Sequence, residues 1–203
     1  MPHDRRTLDF YASEAAAYAA RPEHRRGENR SNFIAQLPSQ ATVLDLGCGA
    51  GGDTRALIEA GLTVTAIDGS PELAREAEKR IGHAVRVLLF ENLDYVEAFD
   101  GIWANASLLH VPRAGLLNVL ARVYRALKPG GLLYASFKSG GTEGRDSLGR
   151  YYNYLNGDEL TALLDTAGAW ASIDLKEGRG TGYDGTETGW VIVFARKSGD
   201  GAN

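Results

Sequence analysis

In the run Val43-Leu44-Asp45-Leu46-Gly47-Cys48-Gly49-Ala50-Gly51-Gly52, an apolar segment carries one carboxylate and ends in glycines. Glycines let a backbone come close to a ligand, and a helix starting near Gly52 offers unpaired N–H groups with a partial positive charge. Asp68 lies sixteen residues beyond Gly52, directly after the apolar stretch 63–67. A carboxylate in that place can accept both hydrogen bonds from a ribose diol, so a nucleoside is the natural occupant. Gly47, Gly49 and Gly52 also satisfy the dinucleotide spacing G-x-G-x-x-G, which leaves the glycines undecided between ligands. Asp45 is more telling. It would be repelled by a diphosphate and would attract an ammonium or sulfonium, and burial strengthens either effect. The ligand should therefore carry positive charge.

Other residue types support less. His110, in the run 105–112, reads equally as a general base or as an ordinary polar residue ending a loop. Cys48 reads as a small residue tolerated between glycines rather than a nucleophile. As the single cysteine it excludes an internal disulfide, and no Cys/His pattern suggests a metal site. Tyr134 and Lys138 match the Tyr-x-x-x-Lys spacing of nicotinamide-dependent short-chain dehydrogenases. That pair works across one helical turn, whereas residues 132–137 read as a strand, which would part the two side chains by about 13 Å. An NAD(P)-dependent oxidoreductase is the disfavoured alternative.

The elements that must position these groups follow from the pattern of the chain. It has 203 residues, 44% hydrophobic and 24% charged, as in a globular protein of one core. We expect one domain over 1–203: helical residues 1–38, a ligand-binding core 39–138, and loops with the last strands in 139–203. Twenty-two basic against 26 acidic residues, a net charge of −4, argues against nucleic-acid binding by phosphate neutralisation. No run approaches about 18 apolar residues, and MPHDRRTLDFY lacks the apolar centre of a signal peptide. A cytoplasmic location and no membrane partner are expected. Twenty-five glycines gather at bends, and between them short β-branched runs alternate with helical periodicity. Strands are predicted at 42–46, 63–67, 84–89, 101–104, 132–137, 171–175 and 190–196. Helices are predicted at 8–20, 24–36, 53–60, 71–81, 113–127 and 158–167. The fold class is α/β. The helix over 113–127 should stop at Lys128-Pro129-Gly130-Gly131, where Pro129 cannot donate and the glycines permit a tight turn.

Asp45 with the glycine run 47–51, Asp68 after the second strand, Phe99-Asp-Gly-Ile-Trp-Ala104 at the fourth and Leu127-Lys-Pro-Gly-Gly-Leu-Leu133 before the fifth together resemble the class I S-adenosylmethionine-dependent methyltransferases. The likeness covers roughly residues 40–137. The stretch Asn105 to Pro112 with Ser136-Phe137-Lys138 is similar to the small tellurite-resistance-type branch. The resemblance implies a Rossmann-like, mainly parallel seven-stranded sheet with its last strand antiparallel and helices on both faces. It implies S-adenosylmethionine as cofactor, with Asp45 and the backbone of Gly47, Cys48, Gly49 and Gly51 at the methionine ammonium. Asp68 would take the ribose hydroxyls, Gly69 and Ser70 the adenosine, Glu91, Asn92 and Leu93 the adenine, and the backbone of Asn105 and Ala106 the sulfonium. The activity implied is methyl transfer to a small-molecule acceptor by in-line displacement, in a monomer or homodimer. A non-catalytic S-adenosylmethionine-binding protein is a further alternative.

Tyr11 and Tyr18 are seven apart, on one face of the first helix, and Arg21, Arg25, Arg26 and Arg30 follow. This helix either covers one side of the sheet or forms a lid, its tyrosines meeting a sulfonium through cation–π attraction of ~0.5 to 2 kcal/mol. As a lid it would bring Arg21 or Arg30 to the methionine carboxylate. Two long glycine-rich loops, 139–157 and 177–189, leave strand ends where ligands bind in such sheets. They carry Arg145, Arg150, Tyr151, Tyr152, Tyr154, Tyr183 and Glu187, and are expected to recognise the acceptor. His110 is the first candidate base; Tyr151 and Tyr152 are next.

Overall fold

A computed structural model describes residues 3–21 and 27–199. Two N-terminal helices, α1 (Arg5–Ala19) and α2 (Gly27–Ala35), precede an alternation of strands and helices. The alternating part is β1 (Thr42–Leu46), α3 (Gly52–Glu59), β2 (Thr63–Asp68), α4 (Pro71–Ile81), β3 (Val85–Val87), β4 (Phe99–Ala104), α5 (Arg113–Ala126) and β5 (Leu127–Ser139). Then come a ribbon of β6 (Gly144–Arg145) and β7 (Tyr151–Tyr152), α6 (Gly157–Ala167), β8 (Trp170–Thr181) and β9 (Glu187–Lys197).

The sheet has seven strands in the order β3-β2-β1-β4-β5-β9-β8. β9 runs antiparallel to both β5 and β8, and the remaining pairings are parallel. A short β8–β9 hairpin forces that reversal, since parallel neighbours need a long crossover. Both faces are covered, so β1 and β4 read as nearly continuous apolar runs, and the larger core lies between the sheet and α5, α6 and the loop after β4. A second apolar cluster joins Phe33 of α2 to Trp103 and Tyr134.

Helix ends follow the local sequence. Ser70 caps α4 by accepting from the Leu73 N–H, Pro71 occupies the first turn, and Gly82 closes the helix at φ +69°. Asn156 and Glu159 form a reciprocal capping box on α6. Asp4 caps α1 and is itself clamped by Arg145 at 2.6 Å, which ties the start of the chain to the ribbon.

Three expectations change. The segment 177–189 is an extended hairpin rather than a loop, since β8 reaches Thr181 and β9 begins at Glu187. The segment 139–157 contains the β6–β7 ribbon. α5 ends at Ala126, because Leu127 already pairs with Phe99 and begins β5; Gly130 within it has the positive φ expected, +74°. The start of the second predicted helix, 24–26, with Arg25 and Arg26, lies outside the described residues. Among the described residues no helix is long and apolar enough to cross a membrane.

Candidate active site

The carboxyl ends of β1, β2, β4 and β5 open into one cavity of about 460 Å³, a size typical of small-molecule sites. α1 and the tip of the β8–β9 hairpin close it from the other side. Its two halves differ in chemistry.

Under β1 and β2 it is acidic. Asp45 is 2% exposed and Asp68 8%, and both line the cavity. Asp45 accepts a 2.5 Å hydrogen bond from the Thr54 hydroxyl of α3. Burial, with the neighbouring Asp53 and Asp68 charges, lifts its carboxyl to about 8. Burial also lifts Asp68, to about 6, against the opposing effect of the Gly49 and Ser70 N–H groups that donate to it at 2.8 Å. Each Asp68 oxygen keeps a lone pair for a further donor. Gly47, Gly49 and Gly51 all have positive φ. A Cβ on Gly47 would lie 2.5 Å from Cβ of Ser107, and one on Gly49 would meet the Tyr18 ring at 3.4 Å, so the turn is shaped as a cradle. The amides of Gly47 and Cys48 both donate to the Ile67 carbonyl, which removes two donors a diphosphate would need. The site thus fits a group carrying an ammonium and a ribose better than a diphosphate. Gly69, Ser70 and Glu91 also line the cavity, Glu91 being held by His3 at 2.6 Å. Asn105 and Ala106 lie on its floor, which is tied together by Ser136, whose hydroxyl accepts the Ala106 N–H and donates to Asn105.

Under β4 and β5 the cavity is aromatic and basic. His110 is neutral: its Nδ1 donates to the Tyr151 carbonyl at 2.6 Å, so Nε2 accepts the Tyr11 hydroxyl at 2.9 Å. Burial lowers its pKa to about 4 and raises that of Tyr11. Arg150, fully buried, ion-pairs with Asp146 at 2.6 Å and donates to the Tyr11 hydroxyl. Tyr152, Lys138, Tyr183 and Trp190 complete this half.

α1 lies across the opening. Tyr18 stacks on Tyr183 with ring centroids 5.4 Å apart, and Arg21 sits 3.9 Å over the same ring while donating to the Tyr183 carbonyl. Arg30 is paired with Asp53 at 2.6 Å, and Asp53 also accepts from Trp103 and Asn105.

Of the residues singled out from sequence, Tyr11, Tyr18, Arg21, Arg30, Asp45, Gly47, Cys48, Gly49, Asp68, Gly69, Ser70, Glu91, Asn105, Ala106, His110 and Tyr152 line the cavity. Of the loop residues expected to recognise the acceptor, Arg150 and Tyr183 also line it, whereas Arg145, Tyr154 and Glu187 do not. Four of the candidate catalytic and cofactor-binding residues stand outside its lining. Gly51 packs against Ala77 and Ile81 of α4. Asn92 is exposed and Leu93 is in the core, because the short helical turn over 90–92 presents Phe90 and Glu91 instead. Tyr151 is the clearest departure: its hydroxyl donates to Glu143 and accepts the Arg113 N–H. Neighbouring residues of a strand point to opposite faces, so Tyr152 can face the cavity only if Tyr151 does not. Cys48 is buried with its thiol pKa raised, against a reactive role. Tyr134 is on β5, stacked on Trp103 at 3.8 Å, which separates it from Lys138 as a strand should. Sequence reasoning missed Asp53, Arg80 and Trp190, which line the site, and the position of Lys138 in it.

Residues 43–131 match a family model described as a methyltransferase domain. A ubiquinone biosynthesis O-methyltransferase of Xylella fastidiosa is 34% identical over 156 residues, 66% of this chain and 62% of that protein. An uncharacterized methyltransferase of Synechocystis is 37% identical over 101 residues, 49% of this chain and 47% of that protein. The chain thus spans between about half and three-fifths of the length of these curated relatives. Among solved structures, the 1,6-didemethyltoxoflavin-N1-methyltransferase of Burkholderia thailandensis, with bound 1,6-didemethyltoxoflavin and S-adenosylhomocysteine, aligns at a TM-score of 0.76. It is 25% identical, and the alignment covers 95% of this chain and 88% of that one.

Proposed function

The chain belongs to the class I S-adenosylmethionine-dependent methyltransferases, and from that premise we propose that it transfers a methyl group from S-adenosylmethionine to a small-molecule acceptor. The observation that carries this reading is the pair of buried carboxylates, Asp45 and Asp68, at a glycine cradle whose Gly47 and Cys48 amides are already committed. When bound, S-adenosylmethionine would supply a methyl carbon on a sulfonium: the acceptor lone pair would form the new bond, the C–S pair would return to sulfur as a neutral thioether, and an acceptor that carries a proton on the attacking atom would lose it.

Asp45 and the backbone of Gly47 hold the ammonium, Asp68 the ribose hydroxyls, and Gly69, Ser70, Phe90 and Glu91 surround the base. Asn105 and Ala106 stand by the sulfonium, under the rings of Tyr11 and Tyr18. Arg21 or Arg30 reaches the methionine carboxylate by exchanging its present partner, Tyr183 or Asp53. Holding the reactants in line supplies roughly 7 to 11 kcal/mol of the barrier, more than a general base, which adds typically ~10² to 10⁴-fold. For an acceptor that must lose a proton, His110 Nε2 is the proton acceptor, reached directly or through the Tyr11 hydroxyl bonded to it. Tyr152 bounds the acceptor side.

The test is thermal unfolding with each ligand, followed by assay of S-adenosylhomocysteine release with an acceptor panel. S-adenosylmethionine at about 100 times its Kd should add ~2.7 kcal/mol to stability while NADH adds nothing. Stabilisation by NADH alone would overturn the reading, and donor binding without turnover on any acceptor would leave a binding protein instead.

A further inference from the structure

Lys138, near the carboxyl end of β5, lines the cavity although it is only 3% exposed. Among the described residues its ammonium has no hydrogen-bond acceptor and no ion-pair partner. Its Nζ lies over the face of the Tyr152 ring, 4.1 Å from the centroid. Asp184, on the hairpin tip, attracts it at longer range while bound to the Thr186 N–H. Asp146, the other carboxylate nearby, is taken by Arg150. A buried ammonium without an anion is costly unless something else supplies the charge. The second buried cation, Arg150, adds to the positive potential of the same half, and the surroundings are rings: Tyr11, Tyr152, Tyr183 and Trp190.

We propose that the acceptor is a small aromatic oxyacid, whose anionic oxygen pairs with Lys138 Nζ while its flat body lies among the aromatic side chains. This rests on the methyltransferase reading and names the acceptor class that reading leaves open. A positively charged acceptor would be repelled by Lys138, whereas Arg150 is already balanced by Asp146. Lys138 acts here in recognition: a lysine serving as general base would need no anion and would not be replaceable by arginine.

Benzoate and its neutral counterpart benzamide are the probes, titrated by calorimetry into the protein saturated with S-adenosylhomocysteine and into the protein without it. Benzoate should bind at least tenfold tighter than benzamide. Lys138→Gln should abolish that preference with S-adenosylhomocysteine affinity retained, and Lys138→Arg should keep it. Lys138→Met, which preserves the stem, replaces the Gln variant if the latter fails to fold. Equal binding of the two probes, binding of neither, or a preference that survives in both Lys138→Gln and Lys138→Met overturns the proposal. A protein that prefers benzoate but ignores S-adenosylhomocysteine would instead defeat the methyltransferase reading and leave the oxyanion site standing.

Discussion

Asp45 is the residue on which the site turns, and its protonation gives it a measurable signature. Its folded pKa of about 8 lies far above the 3.8 of an exposed aspartate, so between those values the folded chain binds the extra proton. Stability from this group therefore falls as pH rises from about 4 through 8. Asp45→Asn removes that penalty: melting curves should show the variant gaining on the natural chain as pH goes from 5 to 9, while donor affinity drops at least tenfold. A loss of stability that grows with pH would contradict the burial argument. For the natural chain, donor affinity should rise by up to about tenfold per pH unit between 6 and 7.5, flattening where the ligand α-amino group titrates near 7.7 to 8.0. His110 behaves oppositely. Its pKa of about 4 keeps it neutral, so kcat should show no inflection at the usual histidine value of 6.5, in the natural chain or in His110→Gln. Asp45, Asp68 and His110 stood out in the sequence because Asp45 interrupts an apolar strand just ahead of the glycine run, Asp68 ends the second strand and His110 comes soon after the fourth, at places where ligands gather. Lys138 was not, because its burial depends on a hairpin tip that folds back from more than forty residues away; a Cβ on Gly182 would lie 2.7 Å from its Nζ.

At the scale of elements, the site is the carboxyl end of the sheet closed by α1 and the β8–β9 hairpin. The contact between the two rests on Tyr183, which holds both Tyr18 and Arg21. Tyr183→Ala should speed amide hydrogen exchange in α1 about tenfold or more and weaken donor binding, with the sheet amides unaffected. Unchanged α1 protection would show that its other anchors, Asp4 on Arg145 and Tyr11 on His110 and Arg150, hold the helix without Tyr183. Gly47→Ala, with φ +81° and Ser107 in the way, should cost about 1 to 3 kcal/mol in chemical denaturation. The helices and the parallel strands were readable from periodicity, to within a few residues. The hairpin was not: residues 176–180 read Lys-Glu-Gly-Arg-Gly and are mostly exposed, so no apolar face marks the extended pairing that Trp190 and its neighbours impose. The β6–β7 ribbon was hidden because two residues per strand are too few for any periodicity to show, although Tyr151 and Tyr152 are buried.

For the whole molecule, the chemistry of the cavity is divided along the sheet order: the β1–β2 side is acidic and the β4–β5 side is basic and aromatic. In the function proposed above, the first side takes the positively charged donor, the second takes the acceptor, and the methyl group passes between them at the floor formed by Asn105 and Ala106. That division was only half visible beforehand, since the acids come from one continuous motif whereas Lys138, Arg150, Tyr152 and Trp190 come from three separate segments joined only by tertiary packing. The central claim is electrostatic, and calorimetry of S-adenosylhomocysteine binding at pH 7, repeated in buffers of different ionisation heat, tests it most directly. Binding should release about one proton, a release absent in Asp45→Asn, and NADH should give no heat. Binding of NADH in place of S-adenosylhomocysteine, or S-adenosylhomocysteine binding without proton release, would contradict it.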